Sequence, residues 1–279
     1  MLDFQLLRIK VIYPLQKQLF TEPPSRTQLL RQIIETRPHP KCEIRKGSVW
    51  LIGNVEPVGT EGLYFRLGRI GHSKYPLLEG EDFVDTVLER YPNTHVLIDT
   101  AEETCVIAKS SSLQTKPANV GLRLAELLRA SPLAQEHNAD IEVNAVIDPT
   151  DFIDHLRGAA VVTRFWMTFS RPNHGNVDEF ILKPLQRWTE VTNAKNGKVD
   201  VTGDGLDPDA LVDVSRSLAA TGENAGARLQ RPGELRPRRL TLRGKSVMLA
   251  AEEPEVNTDD GRKGFLSRIR EMLSRISHG

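Results

Sequence analysis

The sequence predicts an α+β fold, and three observations carry that prediction. Apolar and β-branched runs of strand length intermix with apolar faces repeating at helical spacing. They do so without the strict strand–helix–strand rhythm that a doubly wound sheet requires. Two Asp-Pro pairs, Asp148-Pro149 and Asp207-Pro208, mark helix starts in the second half, with the aspartate capping and the proline at the first helical position.

The N-terminal stretch Leu2 to Tyr13 is rich in Leu, Ile and Val and reads as a strand closed by Pro14. Ser25 offers an N-cap to a short helix whose face is Leu29, Leu30, Ile33 and Ile34, and Arg37-Pro38-His39-Pro40 stops it. Strands follow at Ser48 to Ile52 and Leu63 to Ile70, with Gly53, Asn54, Pro57, Gly59 and Gly62 as the turn region. Phe83, Val84, Val87 and Leu88 stand at helical spacing and predict a helix ended by Tyr91-Pro92. His95 to Ile98 and Thr104 to Ala108 read as a hairpin, and Val120, Leu124, Leu127 and Leu128 as a helix finished near Ser131-Pro132.

The second half begins with a strand at Ile141 to Ile147 and the helix capped by Asp148. A strand spans Val161 to Phe169, with Phe165, Met167 and Phe169 on one face as expected of a core. Val177, Phe180, Ile181, Leu185 and Trp188 predict a helix kinked at Pro184. Lys198 to Thr202 is a strand, Leu211 to Ala220 a helix, and Ala227 to Gln230 and Leu240 to Leu249 are strands. The acidic segment Ala251 to Asp260 reads as a linker to a terminal helix, Gly264 to Ile276. The expected organisation is a β-rich domain at 1–148, an α+β domain with a basic hairpin at 149–250, an acidic linker at 251–260 and an amphipathic helix at 261–279.

The chain has 279 residues, with 37 Lys+Arg against 37 Asp+Glu, 39% hydrophobic and 27% charged. That composition excludes a disordered tail and a polycation of histone type. Two cysteines, Cys42 and Cys105, without a CxxC spacing, supply neither a zinc site nor a disulfide framework, so reduced thiols are expected. No apolar stretch reaches the roughly 18 residues of a membrane span, and charges at Asp3, Arg8 and Lys10 break any signal-peptide core. The expectation is a cytoplasmic protein.

Several motifs fail on inspection. Gly244-Lys245-Ser246 ends like a phosphate-binding loop, but Arg239 stands where its first glycine belongs. Asp200 to Gly205 begins like a calcium loop, but Leu211 takes the place of the closing glutamate. Asp85, Asp99, Glu103 and Lys109 could be arranged as a metal-dependent nuclease around the predicted hairpin, against the alternative of exposed hairpin charges. His155 and His174 lack a paired nucleophile, so no catalytic residue, cofactor or metal ligand is assigned.

Two features point to binding. Arg228, Arg231, Arg236, Arg238, Arg239, Arg243 and Lys245 lie within 18 positions, opposed only by Glu234. Arginine forks match phosphate oxygens, so this hairpin is the candidate nucleic-acid contact, and a solvated hairpin is the alternative. Lys41, Arg45 and Lys46 could extend the stripe. In the terminal helix, Phe265, Leu266, Ile269, Met272, Leu273 and Ile276 form one apolar face. That face packs back on its own body or a dimer mate, docks in a partner's groove, or lies on an anionic membrane.

The element order resembles that of the phage-exclusion Rex A-like proteins and the related B component of Kiwa anti-phage systems. It runs from hairpins near 41–71 and 95–109 and the helix near 119–130, through the strand ending Phe165-Trp-Met-Thr-Phe169, to the later strands, helices and basic hairpin. The resemblance implies a cytoplasmic, homodimeric, non-enzymatic component that binds double-stranded DNA without sequence preference. Arg228 to Lys245 would contact phosphate, and the terminal helix would meet a membrane-protein or effector partner. An interaction subunit with no nucleic-acid role, and the nuclease, stand as alternatives.

Overall fold

The computed structural model describes every residue except 15–22, 38–41, 46, 47, 114, 171–180, 193 and 279. The elements of the first half are β1 (Leu2–Ile12), α1 (Arg26–Glu35), β2 (Cys42–Arg45), β3 (Ser48–Val58), β4 (Gly62–Arg69), β5 (Gly71–Glu79), β6 (Asp82–Arg90), β7 (Asn93–Asp99), β8 (Thr104–Ala108), α2 (Pro117–Arg129), α3 (Pro132–Glu136) and β9 (Asp140–Ala145). The second half contributes α4 (Thr150–Arg157), β10 (Val161–Ser170), α5 (Leu182–Val191), β11 (Asn196–Thr202), α6 (Pro208–Thr221), β12 (Ala225–Gln230), β13 (Arg238–Thr241), β14 (Met248–Ala251), α7 (Glu253–Asn257) and α8 (Asp259–His278). The fold is α+β, as the sequence predicts.

The larger sheet has the order β14-β1-β8-β7-β4-β3-β2, with β9 also pairing β1. One edge of β1 takes β8. The other is divided, Leu2–Gln5 pairing with β14 and Leu7–Ile12 with β9. Both faces of this sheet are covered, which explains its continuous apolar runs. Leu7, Ile9, Phe65, Ile98 and Ile107 join a core under α1 and α2. The alternate residues Phe4, Leu6, Tyr64, Leu97 and Val106 join a second core under α4, α6 and α8.

The second sheet has the order β11-β10-β12-β13. Phe165, Met167 and Phe169 of β10 enter the second core, as expected from their alternation. That core therefore runs across residue 148, and β14 returns to the first sheet, so the expected division at 148 does not separate two bodies. A buried ion pair adds to the connection. Lys10 of β1 binds Glu223, which follows α6, and its Nζ donates to Ser170 Oγ at 2.8 Å.

The expected linker is instead folded. Residues 251–260 are the end of β14, α7 and the first residues of α8. The acidic run is two helix N-termini: Glu253 and Glu255 sit in the first turn of α7, and Asp259 and Asp260 in that of α8, where the helix dipole favours negative charge. The apolar face of α8 packs on its own chain, with Phe265, Leu266, Ile269, Leu273 and Ile276 buried and Met272 packed beside them. The rings of Phe265 and Phe4 meet edge to face at 5.0 Å between centroids. Of the three readings of that face, packing back on its own body is the one the fold adopts, with Met272 left half-buried at its margin.

Three further expectations change. The helix expected around Phe83 to Leu88 is strand β6, paired with β5 across the turn Glu79–Asp82 in a separate two-stranded sheet. The strand expected at Leu240 to Leu249 is split into β13 and β14, which belong to different sheets. Gly244 allows this parting, because a Cβ there would stand 2.0 Å from the Asp148 carbonyl oxygen. Pro184 lies in the first turn of α5, where a missing amide is tolerated, and not at a mid-helix kink. Val177, Phe180 and His174 lie outside the described residues. Among the described residues, no helix is long and apolar enough to cross a membrane.

Candidate nucleic-acid interface

The inward turn of Phe165, Met167 and Phe169 sends Arg164, Trp166 and Thr168 to the opposite face of the second sheet. Register then builds the surface. Arg164 stands opposite Arg228, and Arg228 opposite Arg239, so three arginines occupy one row across β10, β12 and β13. At strand spacing that row spans about 10 Å. Like charges directly opposite in a sheet are destabilising, so the folded chain carries this row at a cost.

Trp166 belongs to the neighbouring row, opposite Asp200 on one side and Gly226 on the other. Its ring covers Gly226, where an added Cβ would meet it at 2.1 Å. The Arg239 guanidinium stacks on the ring at 4.5 Å from its centroid, and that of Arg164 lies at 6.0 Å. The indole thus supports an arginine fork and holds its plane on the sheet surface.

Asp200 is the one carboxylate of the cluster. Arg164 donates to it through both Nε and Nη2, at 2.8 and 2.6 Å. That bidentate bond holds the Asp200 carboxyl below the usual carboxylate range and raises the Arg164 pKa. Arg228 and Arg239 have no ion-pair partner among the described residues. With Lys198 and Pro237, these side chains line a cleft of about 470 Å³ open to solvent. The arrangement offers forked donors at fixed spacing to an array of anionic oxygens, and no nucleophile or proton-transfer pair.

The seven basic residues expected to act together are therefore divided. Arg228 and Arg239 share the open sheet face. Arg231 turns towards α4, its Nη2 2.8 Å from His155 Nδ1. Burial, and then the charges of Arg231 and Arg238, hold the His155 pKa below its usual value. Arg238 alternates away from Arg239, and its Nε and one Nη are buried without a hydrogen bond. Arg236 is exposed in the β12–β13 loop and Arg243 is exposed beyond β13. Lys245 lines a different cavity, beside α4 and α8. Lys41 and Lys46 lie outside the described residues.

Sequence reasoning missed Arg164 and Lys198, and took Trp166 only as part of an aromatic strand that could stack bases but reads first as core. The signal was the alternation Arg164-x-Trp166-x-Thr168, complementary to the aromatic face assigned to the core. The residues of the nuclease reading are not brought together. Asp85 is on the separate hairpin sheet, Glu103 is buried, and Asp99 is engaged by Arg270. Among the described residues, no three His, Cys, Asp or Glu side chains are placed to hold a metal. Cys105 is buried and free, and burial pushes its thiol pKa well up.

Compared with known proteins, the chain matches no protein-family model and no curated sequence.

Proposed function

We propose that the protein binds nucleic acid without sequence preference through the open face of its second sheet, by contact with backbone phosphates. The cross-strand row Arg164–Arg228–Arg239 carries this reading, because it concentrates forked cations at a cost to the sheet. Arg239 resting on Trp166 supports it: the guanidinium over the ring takes a place where a base would stack, so the surface favours phosphate over base stacking. Duplex DNA is the expected ligand, and the role is non-catalytic. A place in phage defence, acting as a homodimer with a membrane or effector partner, extends the same proposal from the resemblance in element order.

Binding is tested by fluorescence anisotropy with labelled duplexes of unrelated sequence across a salt series. Each lost phosphate contact lowers the salt slope by about 1, so Arg228→Ala with Arg239→Ala lowers it by about 2 on every sequence. Gly226→Ala removes no charge but displaces the indole, and weakens binding in the same direction. Arg231→Ala, on the α4 side, leaves it unchanged. Equal affinity and salt slope in the Arg228/Arg239 variant overturn the reading.

A further inference from the structure

A second cavity, of about 570 Å³, lies on the other side of the second core, walled by α4, α6, α8 and the segment from Lys245 to Met248. Its volume is within the range of small-molecule sites. The chemistry of its lining is divided. Ile153, Val247, Met272 and Ile276 supply an apolar surface from three separate parts of the chain. Arg157 at the end of α4, Arg216 on α6 and Lys245 bring three cations to the same space. None of the three has an ion-pair partner among the described residues. Arg275 of α8 adds a fourth, already paired with Glu271.

Two carboxylates complete the lining. Asp148 Oδ1 accepts from the Thr150 backbone N–H at 3.0 Å and its hydroxyl at 2.6 Å, which fixes it at the start of α4. Asp154 stands one turn before Arg157. Charge along α4 therefore runs from carboxylate at its start to guanidinium at its end, about 12 Å away. A plain inorganic anion would use only the cations. A hydrophobic molecule would leave three of them desolvated without a partner, which is costly.

We propose that this cavity binds a small phosphorylated molecule with a planar apolar part, of nucleoside diphosphate size. Its phosphates meet Arg157, Arg216 and Lys245. Its ring lies against Met272, Ile153 and Ile276, and its hydroxyl or amino groups donate to Asp148 or Asp154. The site shares no residue with the arginine row of the sheet, so it stands or falls apart from the nucleic-acid reading.

The test is calorimetry on the full chain with ADP and, separately, inorganic pyrophosphate, at up to about 1 mM. ADP is expected to bind more tightly than pyrophosphate. Arg157→Ala and Lys245→Ala should each weaken ADP by about tenfold or more, the loss of one charge-assisted hydrogen bond. Arg228→Ala and Arg239→Ala should leave ADP binding unchanged. Each variant's thermal transition is recorded, and Arg157→Lys, which keeps the charge and loses the fork, should fall between wild type and Arg157→Ala. Absence of binding by both probes overturns the proposal. So does pyrophosphate binding as tight as ADP, because the apolar surface then contributes nothing. ADP binding that survives Arg157→Ala but is lost in Arg239→Ala places the nucleotide on the sheet and overturns it equally.

Discussion

Arg270 of α8 donates from Nε to Oδ2 of Asp99 at 2.6 Å, with the aspartate side chain fully buried. A second arm of the same guanidinium reaches Glu61 at 2.7 Å. Asp99 ends β7, and its other oxygen accepts the backbone N–H groups of Ala101 and Glu102 at 3.1 Å each. The pair fastens the terminal helix to the larger sheet across 171 positions of sequence.

Removing the arginine takes a charge-assisted bond from a buried carboxylate that keeps its two amide donors and the charge of Arg8 nearby. Arg270 is partly exposed, so solvent recovers some of the loss, and Arg270→Ala should destabilise the fold by about 1–3 kcal/mol. Arg270→Lys cannot span both carboxylates and should restore less than half of that. Urea unfolding of the three proteins measures it; an unchanged midpoint in Arg270→Ala would show that the pair is structurally idle.

His95 predicts a pH dependence. Its Nδ1 lies 2.8 Å from the Tyr64 hydroxyl. Burial, then the charges of Arg66 and Arg262, hold its pKa below the usual value, and Glu253 opposes them. Between the depressed folded pKa and the unfolded value near 6.5, the unfolded chain binds more protons. Stability contributed by neutral His95 is therefore present above about pH 7 and is lost as pH falls through the folded pKa. His95→Gln should flatten that part of the stability–pH curve. The expectation fails if wild type and variant lose stability in parallel from neutral pH to about pH 5.

The β5–β6 hairpin predicts an excision. Among the described residues its strands pair only with each other, and Phe83, Leu78 and Val87 are more than half exposed. Its two ends meet at the body, where the Arg69 N–H bonds the Pro92 carbonyl at 3.1 Å. Replacing residues 71–90 by a two-residue Asn-Gly turn should leave the thermal transition within a few degrees of wild type and reduce adsorption of an apolar dye. Loss of cooperative unfolding in the excised protein would mean that the hairpin supports the core.

How much of this was legible follows from what each residue answers to. The long strand at Leu2 and the cap-plus-proline start at Asp207-Pro208 are local signals and survive intact, whereas at Asp148-Pro149 the helix begins one residue later, with Pro149 at the cap and Asp148 bonding Thr150 from outside it. Phe83, Val84, Val87 and Leu88 carry a helical spacing with no core to enforce it, and pairing with β5 decides their conformation instead. The acidic run at 252–260 reads as a linker because helix N-termini and solvated tethers share one composition. The arginine stripe was half visible. Alternation could place Arg239 and Arg238 on opposite faces, but only register brings Arg164, 75 positions from Arg239, into the same row. The terminal helix showed its apolar face plainly, and nothing in that face says which surface covers it.

The divided edge of β1 has a consequence during synthesis. Residues Leu7 to Ile12 can be covered once β9 has been made, but Leu2 to Gln5 wait for Met248 to Ala251. At ordinary translation rates of about 5–20 residues per second, Leu2 to Gln5 keep an open strand edge for roughly 12–50 s. An unpaired edge is the surface on which neighbouring chains pair wrongly. A chain interrupted between β9 and Met248 therefore has β1 half covered, and four residues more than 240 positions away decide whether Leu2 to Gln5 are safe.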